Sequence, residues 1–165
     1  MKEMRIGYGN DIHRLDPGRR LILGGVEIPH EKGLLGHSDA DAVIHAVIDA
    51  WLGALALGDI GGFFPDTDPA YRDIDSRELL RRVLELPESR EWRLGNLDVT
   101  VNAQRPRLAP YLPAMRRSLA ESFGCGVERI SVKAKTGEKL GYVGREEGIS
   151  AEAVLLLRPA GEEVS

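Results

Sequence analysis

Hydrophobic and polar residues alternate along three segments, and this alternation predicts β-strands with one buried face. The three segments are 97–104, 130–134 and 149–157. Two segments near the start, 5–13 and 20–28, are rich in β-branched residues or leucine and flank Asp16-Pro17-Gly18. Because Asp, Pro and Gly favour turns, these two segments are predicted to be strands on either side of a turn.

A different spacing predicts three helices. In 38–57 the apolar residues recur every three or four positions, as in a helix that buries a wide face. Ser38 or Asp39 is a plausible N-cap for this helix, and Gly58 is a plausible stop. The other two helices are predicted from Asp75 or Ser76 to about residue 86, and from after Pro110 to about Phe123.

The predicted order is strand, strand, helix, helix, strand, helix, strand, strand. It indicates an α+β fold: a single-domain, two-layer sandwich whose sheet is mostly antiparallel or mixed and carries its helices on one face. The domain is expected to span 1–165, with 158–165 as a flexible tail because this end mixes Pro, Gly and acidic residues. The stretches 58–69 and 136–144 are expected to be loops because of their glycine, proline and polar content.

Composition excludes several classes of protein. The 165 residues include 26 acidic and 22 basic side chains, which give a net charge of -4. This charge does not indicate the excess of basic residues that is typical of nucleic-acid-binding proteins. A single cysteine, Cys125, excludes an intrachain disulfide and a multi-cysteine zinc site, so a metal would need histidine and carboxylate ligands. No segment has the apolar run of a signal peptide or a membrane span. A cytoplasmic enzyme or binding protein without nucleic-acid or membrane partners is therefore expected.

Asp11, His13 and His45 are candidate metal ligands. Asp11 and His13 stand two positions apart, so both side chains point to one face of an extended chain. His45 could complete a site with two imidazoles, one carboxylate and an open position if the helix folds back on the strand. The alternative is a capped strand end beside an unrelated histidine, and the short spacing alone favours it. Asp49, one turn beyond His45, is expected to hold the second imidazole N–H.

His37 and Ser38 precede the predicted helix, where free backbone N–H groups and the helix dipole favour anions such as phosphate. The alternative is that Ser38 only caps the helix and that His37 is a solvated loop residue. The loop 59–68 places several aspartates among glycines and two phenylalanines. Such a loop can bind hydroxyl groups, although acidic loops are also ordinary turns.

A third group of polar residues lies around the glycines between the last two predicted strands. It consists of Lys133, Lys135, Thr136, Glu138, Lys139 and Arg145. Cations, a hydroxyl and one carboxylate suit a diphosphate with a divalent ion, whereas the alternative is a solvated basic hairpin. The stretch 104–107 could offer backbone groups to a nucleobase, but it says little by itself.

Six motifs occur in an unbroken order from about residue 5 to residue 157. They are RIGYGNDIH, IPHEKGLLGHSDADAVIHAVIDAWLG, LGDIGGFFPDTDP, DSRELL, LGNLDVTVNAQRP and EKLGYVGREEGISAEAV. In this ordered set the chain closely resembles the 2-C-methyl-D-erythritol 2,4-cyclodiphosphate synthase family. Each motif alone is weak or moderate evidence, and the order makes the resemblance specific.

The resemblance implies a role for each matching residue. Asp11, His13 and His45 match zinc (Zn2+) ligands, His37 and Thr136 match the residues that stabilise the transition state, and Glu138 matches the ligand of a second divalent cation, Mg2+ or Mn2+. The positions that match substrate contacts are Asp11, Ile12, His13, His37, Ser38, Asp59, Ile60, Gly61, Phe64, Pro65, Asp66, Thr67, Asp68, Ala103, Gln104, Arg105, Pro106, Arg107, Leu108, Ala109, Lys135, Thr136, Gly137, Glu138, Tyr142 and Arg145.

Within that set, residues 59–61 and 64–68 match the erythritol-binding segments, 103–109 the cytidine-binding segment and 135–138 the diphosphate-binding segment. Lys135 and Gly137 stand where the family often has threonine, and Tyr142 stands where phenylalanine is common. Backbone contacts are therefore the expectation at Lys135 and Gly137.

The implied substrate is 4-diphosphocytidyl-2-C-methyl-D-erythritol 2-phosphate, which the family converts to the 2,4-cyclodiphosphate and CMP in non-mevalonate isoprenoid biosynthesis. The resemblance also implies a homotrimer with active sites between subunits. Two rival functions stay open at this point. One is a zinc-dependent phosphohydrolase, and the other is a non-catalytic trimer that binds diphosphate or metal.

Overall fold

The computed structural model describes residues 3–161, and a mixed β-sheet forms the base of the fold. The strands are β1 (Arg5–Pro17), β2 (Leu21–Leu23), β3 (Val26–Ile28), β4 (Lys32–Leu35), β5 (Trp92–Asn102), β6 (Ile130–Lys135) and β7 (Gly148–Pro159). The main sheet has the order β4-β1-β7-β5-β6, and β2 and β3 form a separate hairpin. Its neighbours pair antiparallel except β5 and β6, which pair parallel. The predicted α+β fold with a mixed sheet is confirmed.

The helices are α1 (Ala42–Ala54), α2 (Ile60–Phe63), α3 (Ser76–Leu84), α4 (Leu112–Phe123) and α5 (Gly141–Gly144). The central helix α1 packs on β1 and β7, and nearly all of its side chains are buried. In the described part of the chain, no helix is both long and apolar enough to cross a bilayer. Because α1 packs on β1 and β7, one face of the sheet is covered and buried in the core.

Several element boundaries differ from the predictions. Segment 20–28 is the tight hairpin of β2 and β3 instead of one strand, because Gly24 and Gly25 turn the chain with positive φ angles. Strand β4 was not predicted, and α2 and α5 form inside stretches that were predicted to be loops. At the other end, β7 includes the first two residues of the predicted tail, and 162–165 lie outside the described residues.

Helix α1 begins at Ala42, so the prediction of Ser38 or Asp39 as its N-cap is wrong. Ala40 has a φ of 58°, a left-handed conformation that interrupts the helix before it. Asp41 is the N-cap, and its side chain accepts a hydrogen bond from the backbone N–H of Ile44.

Asp41 also connects α1 to the β2–β3 hairpin. This side chain is completely buried, and its two oxygens accept hydrogen bonds from the N–H groups of Gly24 at 2.8 Å and Gly25 at 2.7 Å. Three backbone donors therefore depend on one carboxylate: those of Gly24 and Ile44 are buried, and that of Gly25 is partly buried.

Replacing Asp41 with alanine is expected to lower the free energy of unfolding by about 3 kcal/mol or more. Each buried donor that loses its acceptor costs about 1–3 kcal/mol, and part of that is recovered when water enters. The midpoint of urea unfolding measures the loss. The control is Asp75→Ala, which removes the exposed N-cap of α3 and should cost about 1 kcal/mol. An equal loss in both variants would contradict the role of Asp41.

Helix α1 touches β1 through the main chain at two glycines. A Cβ atom added at Gly7 would lie 1.8 Å from the carbonyl oxygen of Ala50, and one at Gly9 would lie 2.1 Å from that of Ala46. No side chain fits at these distances, so the glycines allow helix and strand to approach directly. This contact brings His45 of α1 over Asp11 and His13 of β1.

Candidate active site

Three ligand atoms from β1 and α1 converge at one end of the sheet. Asp11 Oδ2 lies 2.7 Å from His13 Nε2 and 3.3 Å from His45 Nδ1. The two histidine nitrogens are 3.2 Å apart. Asp11 and His13 point to the same face of β1, as their spacing predicts, and all three ligand atoms lie within 4.8 Å of one another.

This group has the chemistry of a metal site. Asp11 Oδ2 is buried and makes no hydrogen bond of acceptable geometry to the described residues, although the two histidines are close. The three atoms thus face a common point. Two imidazole nitrogens and one carboxylate oxygen are a usual ligand set for Zn2+, which leaves a fourth position open. The residues present therefore fit the metal that the family resemblance implies.

The tautomer of His13 suits metal binding. Its Nδ1 lies 3.0 Å from the carbonyl oxygen of Leu35, which can only accept a hydrogen bond. Nδ1 therefore carries a proton and donates to Leu35, and Nε2 is the nitrogen that faces the candidate metal position. Such a contact to the far nitrogen fixes the ring of a ligating histidine.

The electrostatics of the group follow from burial and proximity. Burial alone would raise the pKa of Asp11, but the two neighbouring histidines outweigh burial and lower it. Burial alone would lower the pKa of His13, but the adjacent carboxylate of Asp11 outweighs burial and raises it. The carboxylate is therefore kept in the charged form that a metal ligand needs.

A cavity of about 390 Å³ opens from this group. The metal group and Leu35, the last residue of β4, line it at one end, and Gly36, His37 and Ser38 come from the loop after β4. The other lining residues are Ile60, Gly61, Phe64 and Asp66 from the predicted erythritol segment, together with Tyr71 and Leu79. The structure thus places three predicted groups of site residues around one space. The polar groups of Asp11, His13 and His45 at one end and the apolar side chains of Ile60, Phe64 and Leu79 elsewhere in the lining suit a small substrate with a charged end.

The loop that carries His37 and Ser38 is held by an arginine and a backbone contact. Arg19 donates hydrogen bonds to the carbonyl oxygens of Leu34, Gly36 and Ser38 at 3.1 to 3.2 Å. His37 Nε2 lies 2.7 Å from the carbonyl oxygen of Asp68 and donates to it. The loop is therefore fixed on both sides of His37.

Asp49 does not hold His45, and that prediction is wrong. Its Oδ1 accepts a hydrogen bond of 2.8 Å from the backbone N–H of Ile60, at the start of α2. Burial raises the pKa of Asp49, while this hydrogen bond opposes the rise. Asp59 caps the same short helix by accepting from Gly62. Two aspartates therefore position the predicted erythritol segment.

A second group of predicted residues comes together at the ends of β5 and β6. Ala103 N–H donates to the carbonyl oxygen of Lys135 at 2.9 Å, and Lys139 N–H donates to Gln104 Oε1 at 3.1 Å. The predicted cytidine segment, 103–109, is thus in contact with the predicted diphosphate segment, 135–138. Thr136 Oγ1 accepts a hydrogen bond of 3.3 Å from the N–H of Glu138.

The remaining predicted residues lie outside the cavity. Ile12 is exposed on the opposite face of β1 from Asp11 and His13. Tyr142 is exposed on α5, and Arg145 is exposed and paired with Glu147 at 2.8 Å. Among the described residues that line the cavity, none belongs to 103–109 or 135–145. The predicted site residues of one chain therefore form two separate groups.

The sequence did not predict several residues that support the site. Ser76 was predicted only as a helix start, yet its hydroxyl lies 2.9 Å from His45 Nε2. The carbonyl oxygen of Leu35, which accepts from His13 Nδ1, is a backbone group, so the side-chain pattern does not predict its role. Tyr71 and Leu79 follow the ordinary pattern of a core, so only their position in the fold places them at the cavity.

Comparison with known proteins gives consistent results. The model of the YgbB family matches residues 4–158. The 2-C-methyl-D-erythritol 2,4-cyclodiphosphate synthase of Geobacter sulfurreducens is 60% identical over 154 residues, which cover 93% of this chain and 98% of the relative.

Two solved structures have the same fold. A 2C-methyl-D-erythritol-2,4-cyclodiphosphate synthase in a bound form with CDP is 43% identical with a TM-score of 0.85, and the match covers 93% of this chain and 100% of that chain. The bifunctional IspDF from Campylobacter jejuni is 39% identical with a TM-score of 0.90, and the match covers 95% of this chain but 42% of that longer one. The family match spans almost all of the described residues, and the chain therefore belongs to the YgbB family, together with its 2-C-methyl-D-erythritol 2,4-cyclodiphosphate synthase relatives.

Proposed function

We propose that this chain catalyses the reaction named for its relatives, the formation of 2-C-methyl-D-erythritol 2,4-cyclodiphosphate. The substrate is 4-diphosphocytidyl-2-C-methyl-D-erythritol 2-phosphate. An oxygen of the 2-phosphate attacks the β-phosphorus, the bond from that phosphorus to the oxygen bridging to the α-phosphorus breaks, and CMP leaves. The observation that carries the proposal is the convergence of Asp11, His13 and His45 at the head of the cavity that His37 and Ser38 line.

This reaction needs alignment of the two reacting ends and neutralisation of charge, and it needs no protein nucleophile. When bound, Zn2+ at Asp11, His13 and His45 and Mg2+ or Mn2+ at Glu138 would supply positive charge that orients and neutralises the phosphate oxygens. The loop 59–68 would hold the erythritol hydroxyls, and 103–109 would hold the cytosine. His37 and Thr136 would donate hydrogen bonds where negative charge develops.

We further propose that the active enzyme is a homotrimer. The cavity contains the metal group but none of the cytidine or diphosphate segments among its described lining residues. We infer that a complete site combines the metal group of one chain with the 103–109 and 135–138 segments of another. The outer face of the sheet supports this assembly, because Ile6, Tyr8, Ile12 and Val154 are 73%, 56%, 55% and 47% exposed there.

Replacing Ile6 with glutamate is expected to dissociate the trimer into single chains and to abolish turnover. A charged side chain in a buried apolar contact loses its hydration without gaining a partner. Size-exclusion chromatography with light scattering measures the mass. The control is Val127→Glu, which adds the same charge at an exposed apolar residue in the 3-10 turn before β6, outside the strands themselves. A trimer that survives the Ile6 change would contradict this interface.

A combined assay tests the function against its rivals. The purified protein is incubated with the substrate, Zn2+ and Mg2+ or Mn2+, and the products are followed by CMP release and phosphorus NMR. We expect one cyclic diphosphate for each CMP. An open-chain bisphosphate product would support the phosphohydrolase, because water would then be the attacking group. The absence of CMP would favour a non-catalytic binding protein. A cytoplasmic location stays a prediction.

A further inference from the structure

The imidazole of His45 has a second nitrogen that points away from the metal group. His45 Nε2 lies 2.9 Å from Ser76 Oγ and 3.1 Å from Ser38 Oγ. Ser76 is fully buried and is the first residue of α3. The contact therefore joins α3 to α1 directly behind the candidate metal ligand.

The direction of this hydrogen bond decides which nitrogen of His45 is free to bind a metal. A serine hydroxyl can donate one hydrogen bond and can also accept, so it does not select a histidine tautomer by itself. Ser76 Oγ, however, donates to Asp39 Oδ1 across a short contact. A carboxylate only accepts, so the hydroxyl proton of Ser76 is directed at Asp39 and Ser76 Oγ must accept from His45.

It follows that His45 carries its proton on Nε2. The lone pair is then on Nδ1, the nitrogen that faces Asp11 and His13. Had the hydroxyl of Ser76 donated to Nε2, the proton of a neutral imidazole would stand on Nδ1 and would block metal binding.

Asp39 is itself held in place from two sides. Its Oδ1 accepts a hydrogen bond from the N–H of Asp41 at 3.1 Å, and its Oδ2 accepts one from the N–H of Ser76 at 3.1 Å. Its own N–H donates to the carbonyl oxygen of Ile74 at 3.0 Å. The carboxylate therefore has a fixed orientation between the segment before α1 and the start of α3.

We propose that Ser76 and Asp39 are positioning residues for the metal centre, which fix both the ring orientation and the tautomer of His45. The chain of hydrogen bonds runs in one direction, from His45 Nε2 to Ser76 Oγ and from Ser76 Oγ to Asp39. Partners of this kind hold ligating histidines in many metal sites. The inference rests on the proposed function in taking His45 as a metal ligand.

The test uses the full-length protein and two variants, Ser76→Ala and Asp39→Ala. Ser76→Ala removes the nearer of the two hydroxyl oxygens at Nε2 and leaves Ser38 Oγ at 3.1 Å, and Asp39→Ala frees the Ser76 hydroxyl to donate to Nε2. Each change is expected to weaken Zn2+ affinity about 10- to 100-fold, as measured by competition with a chromogenic chelator. In metal-free protein with 15N-labelled histidine, NMR should show His45 protonated on Nε2 in the wild type and a larger share of the Nδ1–H form in Asp39→Ala.

Asp75→Ala is the matched control, because Asp75 caps the same helix end through Arg77 and is not a partner of Ser76 Oγ. It should leave Zn2+ affinity and the tautomer unchanged. Unaltered affinity in both test variants, an equal loss in Asp75→Ala, or a wild-type His45 protonated on Nδ1 would overturn the proposal. These measurements do not involve turnover, so a wild-type protein that binds Zn2+ as expected but releases no CMP would refute the proposed function alone.

Discussion

Replacing His45 with alanine is expected to remove bound Zn2+ and to reduce kcat/KM by about 10³-fold while the fold and the assembly persist. The change deletes one of three converging ligands, and Asp11 and His13 alone cannot form the three-ligand set of a catalytic zinc site. A metal ion contributes several kcal/mol of charge stabilisation, and about 4 kcal/mol corresponds to about 10³-fold in rate.

The fold should survive this change because α1 is held elsewhere along its length. Its backbone contacts β1 at Ala46 and Ala50, and its buried side chains pack on the sheet. Metal content per chain, CMP release and light scattering together measure the outcome. His30→Ala is the matched control, since His30 is outside the metal group and outside the lining of the cavity. Full activity with one Zn2+ per chain in His45→Ala would refute the metal assignment.

Replacing Thr136 with alanine is expected to slow CMP release by about 10²–10³-fold with Zn2+ content unchanged. Loss of one preorganised donor to developing charge has an effect of this size in other enzymes. Thr136 stands at the second group of site residues, where its Oγ1 accepts from the N–H of Glu138 and lies 3.5 Å from Glu138 Oε1. The change therefore also loosens the proposed ligand of the second cation.

Two controls separate these effects. Thr136→Ser retains the hydroxyl and should keep most of the activity, whereas a purely steric role of the methyl group would make it as slow as alanine. Raising the Mg2+ or Mn2+ concentration should compensate for weaker binding of the second cation at Glu138. Any loss of rate that persists at saturating metal is then due to the missing hydroxyl donor. An alanine variant with the wild-type rate would eliminate Thr136 as a participant in the reaction.

The longer helices and strands were predictable from sequence because each has apolar residues at regular intervals on the face that it buries. Strand β6 and helix α1 are examples, since their apolar positions repeat at the spacing of a strand and of a helix. The four residues of β4 show no such alternation and form a strand only because β1 offers them an edge. Helix α2 has the sequence IGGF, which has poor helix propensity, and it exists because Asp49 and Asp59 satisfy its N–H groups.

The site was predictable only in part for a related reason. The spacing of Asp11 and His13 already predicts two ligands on one face of a strand. The approach of His45 to them depends on how α1 packs, which no local pattern states, so the resemblance to a known family carried that prediction. Ser76 is 31 positions from His45, and an ordinary helix-start serine gives no sign of a contact at such separation.

The close contact at Gly7 and Gly9 affects how the chain can change over evolution. In most proteins the distance between a helix and a sheet depends on the sizes of the side chains between them, so a change in the core moves both elements. Here main-chain atoms set that distance next to His45, and exchanges among apolar side chains elsewhere should alter stability before they alter ligand geometry. The candidate metal site is thereby less sensitive to most exchanges of core side chains, and its geometry depends on two glycines that contribute no functional group to it.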